Sequence, residues 1–284
     1  MDNNQKPQLE VLRTLINDWV RKNQSSNLSN YDKLHAYKTC LEKKLVYILV
    51  VTSLTFTQCK ELDKLICPLL LNSHSIQRNA NRSIIYLSDE YGGLNIPSIY
   101  HLQGIANLQF FQMHYRNNDT AGKLLKISMR YTQLECGLSN PFYVHDFYKI
   151  QHITTPTWLT NLWQYTTECH CNIHETQPWI YECPRVRDRF LMDIICASNL
   201  SQEHQEIFNR DRINLKLLTL SDTVVADSPD HILPDIYDGI NHRVSKFNWP
   251  CVQQLPPDWM KIFIHAIKHV IKPHLNTNSL GKFL

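Results

Sequence analysis

The side chains in this sequence with the clearest chemical potential are cations, and their spacing is helical. Lys123, Lys126 and Arg130 fall within one narrow arc when successive residues turn by about 100°. A row of this kind can follow phosphates, since each Lys or Arg set against a phosphate releases condensed counterions. The arc lies beside an apolar stripe of Leu124, Ile127, Tyr131 and Leu134. The plainer reading is a solvated face whose long stems cover apolar surface. A second basic group joins Arg185, Arg187 and Arg189 with Arg210, Arg212 and Lys216. Asp188, Asp193 and Asp211 interleave with it, so internal ion pairs account for much of its charge. Arg78 and Arg82 flank a polar loop and complete the set of candidates for nucleic-acid contact.

Other chemistry is poorly supported. Cys169-His-Cys171 with His174 and Cys183 offers soft ligands, but a structural zinc site wants a Cys-x2–4-Cys knuckle plus a second pair. The spacing here is Cys-x-Cys followed by an irregular pair, and free cysteines with solvent histidines explain it better. No Gly-x-Ser-x-Gly elbow and no phosphate-binding glycine loop occurs. We therefore assign no catalytic residue, no metal and no cofactor. Six tryptophans could stack on bases, among them Trp158, Trp163, Trp179, Trp249 and Trp259, yet their apolar area suits a core or an interface.

The elements that must carry these residues are mostly helices. With 284 residues, 43% of them apolar and 19% charged, the chain is globular in composition and long enough for one large domain or two modest ones. Only 7 glycines argue against a turn-dense β-sandwich. A net charge of +3 permits nucleic-acid contact without announcing it. The 9 cysteines are odd in number and irregular in spacing, and the first residues lack a secretory core. Those features point to a reducing compartment, nucleus or cytoplasm, with free thiols. The apolar run from Leu45 to Phe56 is too short for a membrane span, which needs about 20 residues, and reads as a buried segment.

Periodicity predicts helices over 9–22, from Tyr31 towards Leu49, and after Thr57 as N-cap, with Pro68 kinking or ending the third. Ile84-Ile-Tyr-Leu87 reads as a short strand ending in Gly92-Gly93. Helices then span 98–115 and, capped by Asp119, run to Cys136 with Gly137 as the C′ residue. Residues 138–153 are irregular. Short helices follow near 158–167, 186–197, 201–220 with Ser201 as N-cap, and 258–271. The expected fold is mainly α, with a short β element near 84–93 and an irregular C-terminal helical region. Two regions are expected, 1–137 and 138–284, which could be one continuous domain.

Several of these segments, taken in order, resemble the region that follows the catalytic palm in reverse transcriptases of non-long-terminal-repeat retrotransposons. The turn Tyr91-Gly-Gly-Leu-Asn-Ile-Pro97 and the following helix with Gln103-Gly-Ile105 carry the likeness most clearly. Leu34-His-Ala-Tyr37 through Leu49, Cys59-Lys60, Leu65-Ile-Cys-Pro68 and Asn79-Ala-Asn-Arg82 precede it. Gly122 to Ile127, Gln133 to Gly137, Arg189 to Asp193, Asn209 to Arg212, Leu220 to Asp222, Trp249-Pro250 and Pro257-Asp-Trp259 follow. Each is weak alone; together they span about residues 10 to 270.

The resemblance implies a thumb-like helical bundle and a connector that hold an RNA or DNA template duplex against a palm lying elsewhere in the same polyprotein. Polymerases of this class bind two metals through adjacent aspartates in a Tyr-x-Asp-Asp turn. No adjacent aspartates occur here, and Asp89-Glu90 is the nearest imitation. The expectation is thus a non-catalytic piece of an RNA-directed DNA polymerase, binding template duplex through its basic helical faces. The alternative is a free-standing helical module derived from a retroelement, which binds protein or itself through apolar surface once covered by the palm.

Overall fold

The computed structural model describes residues 6–73, 76–77, 81–117, 119–173, 181–241, 247–251 and 255–283, and its regular structure is almost wholly helical. The chain forms two compact units, Met1–Lys123 with Pro156–Tyr165, and Leu124–Thr155 with Thr166–Leu284. The boundary expected at 137 therefore falls inside the second unit, and residues 156–165 belong with the first. Among the described residues no helix is long and apolar enough to cross a membrane.

In the first unit, α1 (Lys6–Gln24) buries Leu9, Leu12 and Ile16, the helical stripe read from sequence. α2 (Asn30–Ala36) starts in a capping box, with the Ser29 hydroxyl and the Asp32 carboxylate each taking the other's backbone N–H. A π turn at Tyr37–Leu41 leads into α3 (Glu42–Leu49). Tyr37 is buried and meets Trp19 edge-on, with ring centres 5.9 Å apart. α4 (Phe56–Ser73) packs on α1, joined by the Arg13–Glu61 ion pair at 2.7 Å.

Thr55 rather than Thr57 caps α4: its hydroxyl accepts the Gln58 N–H while the Gln58 side chain accepts the Thr55 N–H. Pro68 does not end this helix. It deletes one backbone donor, but Leu69, Leu70 and Leu71 beyond it are all buried, and their packing carries the helix onward.

The run from Leu45 to Phe56 is only partly buried. Leu45, Leu49 and Thr52 to Leu54 are inside, while Tyr47, Val51 and Phe56 are exposed. Its turn is held by Gln103 of α6 (Ile99–Asn117), whose amide accepts the Leu54 N–H and donates to the Leu54 carbonyl, both at 3.0 Å. Asn161 donates to the Ser53 carbonyl and the Trp158 indole to the Val50 carbonyl, each at 3.2 Å. These bonds join residues 156–165 to the first unit.

The expected β element is replaced by a single helical turn, α5 (Ser83–Tyr86). Its carbonyls instead accept from an extended stretch: Leu94 N–H bonds to Ile84 O and Ile96 N–H to Ile85 O, both at 3.0 Å. The paired isoleucines have strand propensity but, among the described residues, no partner strand, so tertiary pairing decides their state. Among the described residues only isolated bridges occur, Arg185–Phe283, Phe190–Thr219 and Val224–Ile232.

The Gly-Gly pair divides two tasks. Gly92 takes φ +76° to close the 3-10 turn Asp89–Tyr91. Gly93 passes so close to Leu87 that a Cβ would sit 2.1 Å from its carbonyl oxygen.

The second unit begins within α7 (Thr120–Cys136), which ends at Gly137 with φ +64°, as its spacing predicted. Gln133 stitches the following loop, donating to Leu138 O at 2.7 Å and accepting the Phe142 N–H at 2.8 Å. The 138–153 stretch is short turns plus α8 (Phe147–Ile150). α9 (Trp158–Glu168) lies in the first unit up to Tyr165; α10 (Leu191–Cys196) and α11 (Gln202–Asn214) follow in the second, with Ser201 capping the last.

After α12 (Pro234–Tyr237), the last helix is longer than expected. α13 (Trp259–Ala266) passes through a π turn, Ile267–Ile271, into α14 (Lys272–Thr277). α13 packs on α11 through stacked Phe208 and Phe263, 5.3 Å apart. Cys59 and Cys67 are buried in the first unit and Cys136 in the second, while Cys40, Cys171 and Cys251 are exposed.

Candidate nucleic-acid interface

On α7 the helical period separates two stripes. Leu125, Met129, Thr132 and Cys136 are buried. Leu124, Ile127 and Tyr131, read from sequence as part of one apolar stripe, are 59%, 62% and 41% exposed; only Leu134 of that set is inside. Both stripes have helical spacing, and periodicity alone cannot say which one packs. Lys123 and Arg130 are exposed and Lys126 is half-buried, so the cationic arc and three apolar side chains form neighbouring parts of the open side of one helix. The Tyr131 phenol accepts a hydrogen bond from the Cys251 backbone, and burial with the Glu135 charge pushes its pKa up.

Two of the proposed arginines leave the candidate set. Arg212 is 0% exposed and caps the C-terminus of α7. Its guanidinium donates to Leu134 O at 2.9 Å, Glu135 O at 2.8 Å, Leu217 O at 3.3 Å and the Asn209 side chain at 2.7 Å. It thus satisfies carbonyls that have no partner at a helix end and sets a cation on the negative pole of the helix dipole. Burial pulls its pKa down to about 10, which still leaves it charged at neutrality. Gly137 makes room for it, since a Cβ there would lie 2.5 Å from the guanidinium carbon.

Arg185 is also buried, donating to the Ala226 carbonyl and lying 3.8 Å over the Phe283 ring. Neither side chain is placed to meet a phosphate.

The other candidates differ. Arg187 is exposed in the left-handed region, with φ +63°. Arg210 is half-buried in an ion pair with Glu206 on the same helix. Arg82 is exposed; burial pushes the half-buried Asp63 carboxyl up to about 6, and the Arg82 charge opposes that shift. Arg78 lies outside the described residues, as do His174 and Trp179. Trp163 is a core residue. Asp89 and Glu90 are exposed on their 3-10 turn, with Ser88 as its cap. Cys169, Cys171 and Cys183 are free thiols. Among the described residues no three His, Cys, Asp or Glu side chains gather as metal ligands would.

Two buried carboxylates had no sequence signal. Glu135 accepts both the N–H, at 3.1 Å, and the hydroxyl of Thr155, and burial raises its pKa. Both Asp211 oxygens are buried without a hydrogen bond, and burial pushes this carboxyl up to about 8. Compared with models of known families, with curated proteins and with solved structures, the chain matches none.

Proposed function

We propose that the chain is a non-catalytic, post-palm piece of a retroelement reverse transcriptase that holds template duplex through α7. The ordered sequence likeness over about residues 10 to 270 supports the origin. One observation carries the contact: Lys123, Lys126 and Arg130 share the open side of α7 with Leu124, Ile127 and Tyr131. The cations suit phosphates, and the apolar neighbours suit sugar and base faces. Binding to an RNA–DNA hybrid is measured over a salt series. Changing Lys123, Lys126 and Arg130 together to Ala lowers the slope of log affinity against log salt by about 2 to 3. An unchanged slope removes α7 from the interface.

A second reading rests on the apolar half of the same surface. Exposed Leu124 and Ile127 suit a protein partner, or a second copy, better than a phosphate chain. Under this reading Leu124→Ser with Ile127→Ser abolishes self-association in sedimentation, while hybrid binding is weak in every variant.

A further inference from the structure

The second unit holds a cleft of about 710 Å³, within the size range of small-ligand sites, lined by Arg189 and three histidines, His265, His269 and His274. The histidines come from one continuous helical segment. His265 and His269 are one turn apart, with ring centres separated by 4.5 Å. In an unbroken α-helix His274, nine positions beyond His265, would stand on the opposite side. The π turn Ile267–Ile271 takes up one extra residue, with the Lys272 N–H reaching back to Ile267 O. That swings His274 round by roughly 100° onto the face of the other two. Pro273 gives the turn a cause, since its ring would press on the carbonyl four residues earlier in a regular helix.

The cleft holds one fixed cation, Arg189, and one carboxylate, Asp193, and one of its imidazoles lacks a partner. On the half-buried His274 the Nε2 atom is covered and without a hydrogen bond, and burial, then the Arg189 charge, pulls the imidazole pKa down. Asp193 also lines the cleft, but one of its oxygens accepts the Ser139 N–H at 3.2 Å, and His145 feels the same carboxylate. Ser198 also lines the cleft, but its hydroxyl already donates to Ile195 O at 2.6 Å and accepts the Leu200 N–H at 3.3 Å. The imidazoles do not converge as metal ligands do.

We propose that this cleft binds a phosphate-type oxyanion, with Arg189 as the fixed charge and His274 taking up a proton from solvent as the anion enters. An anion there supplies the acceptor that His274 lacks and offsets the repulsion from Arg189. The site uses none of the α7 residues and does not depend on the reading given for them.

The test is a sulfate titration of the full chain, followed by histidine ring resonances at constant ionic strength set with chloride. Sulfate keeps its charge across the pH range, so any pH dependence belongs to the protein. The expected result is saturable shifts of His265, His269 and His274, with binding about tenfold tighter near pH 6 than near pH 7, because one proton is taken up. Arg189→Gln, a change at an exposed side chain, abolishes the shifts, and His274→Asn removes the pH dependence. Inorganic phosphate, and a dinucleotide with and without a 5′-phosphate, then separate the sources. Binding only with the 5′-phosphate assigns a strand end, and equal binding of both dinucleotides assigns the backbone. Shifts that do not saturate, or Arg189→Gln binding sulfate as the native chain does, overturn the proposal.

Discussion

Arg212 and Asp211 are adjacent in sequence, both fully buried, and opposite in how they meet burial. Arg212 keeps its charge because four groups accept its hydrogen bonds. Replacing it with Met leaves the α7 carbonyls unpaired, and the expected loss is about 3 kcal/mol in urea unfolding. Asp211 instead holds its proton. Its folded pKa of about 8 lies above the ordinary 3.8, so the folded state retains a proton that the unfolded state has lost. Stability from this group is full below about pH 4, falls as pH rises towards 8 and is level above it. Asp211→Asn therefore leaves the melting temperature unchanged near pH 4 and raises it near pH 9. A gain that is equal at both values would show that the carboxyl does not titrate in this range. Sequence grouped Arg212 with surface cations because charge pattern carries no information on depth. A helix-ending Gly137 with a distant Arg facing it is a pairing only the fold reveals.

At the scale of elements, caps and stops were legible where the signal is local. Ser201, Asp119 and Gly137 act at or beside their expected positions. Thr55 was missed although Thr55-x-x-Gln58 is a readable capping box. Two kinds of element were not legible. α5 has strand-forming residues, and its state is set by a distant extended segment. α7 offers two stripes of equal period, and only packing chooses between them. The glycine turn after α5 gives a graded prediction. Gly92→Ala costs about 1 kcal/mol for a left-handed Cβ. Gly93→Ala costs more, about 2 kcal/mol or above, because the Leu87 carbonyl blocks the space. Thermal melts of the two variants check the order; equal losses would mean the turn relaxes freely.

For the molecule as a whole, the mainly α class followed from scarce glycine and 3.6-residue periodicity, and it holds. The two compact units are not contiguous in sequence, since residues 156–165 complete the first. Their sequence looks like any short helix. What binds them is specific: Asn161 and Trp158 satisfy carbonyls of the 50–53 turn, and the Tyr165 ring lies against Gly104, where a Cβ would be 2.3 Å away. A fragment ending at 123 lacks these groups. It is expected to melt earlier and less cooperatively than a fragment ending at 165, as followed by circular dichroism. Matching transitions in both would show that the inserted helix contributes nothing to the first unit.

The distribution of cysteines turns the protein into its own timer. Cys40, Cys171 and Cys251 are open to an alkylating reagent from the start, whereas Cys59 and Cys67 report only when the first unit opens, and Cys136 only when the second does. Burial pushes the Cys59 thiol up to about 12 and raises Cys136 as well, so neither yields a thiolate while folded. Mass spectrometry of a labelling time course would then read two opening rates from one untagged sample, and show whether the units breathe separately or together.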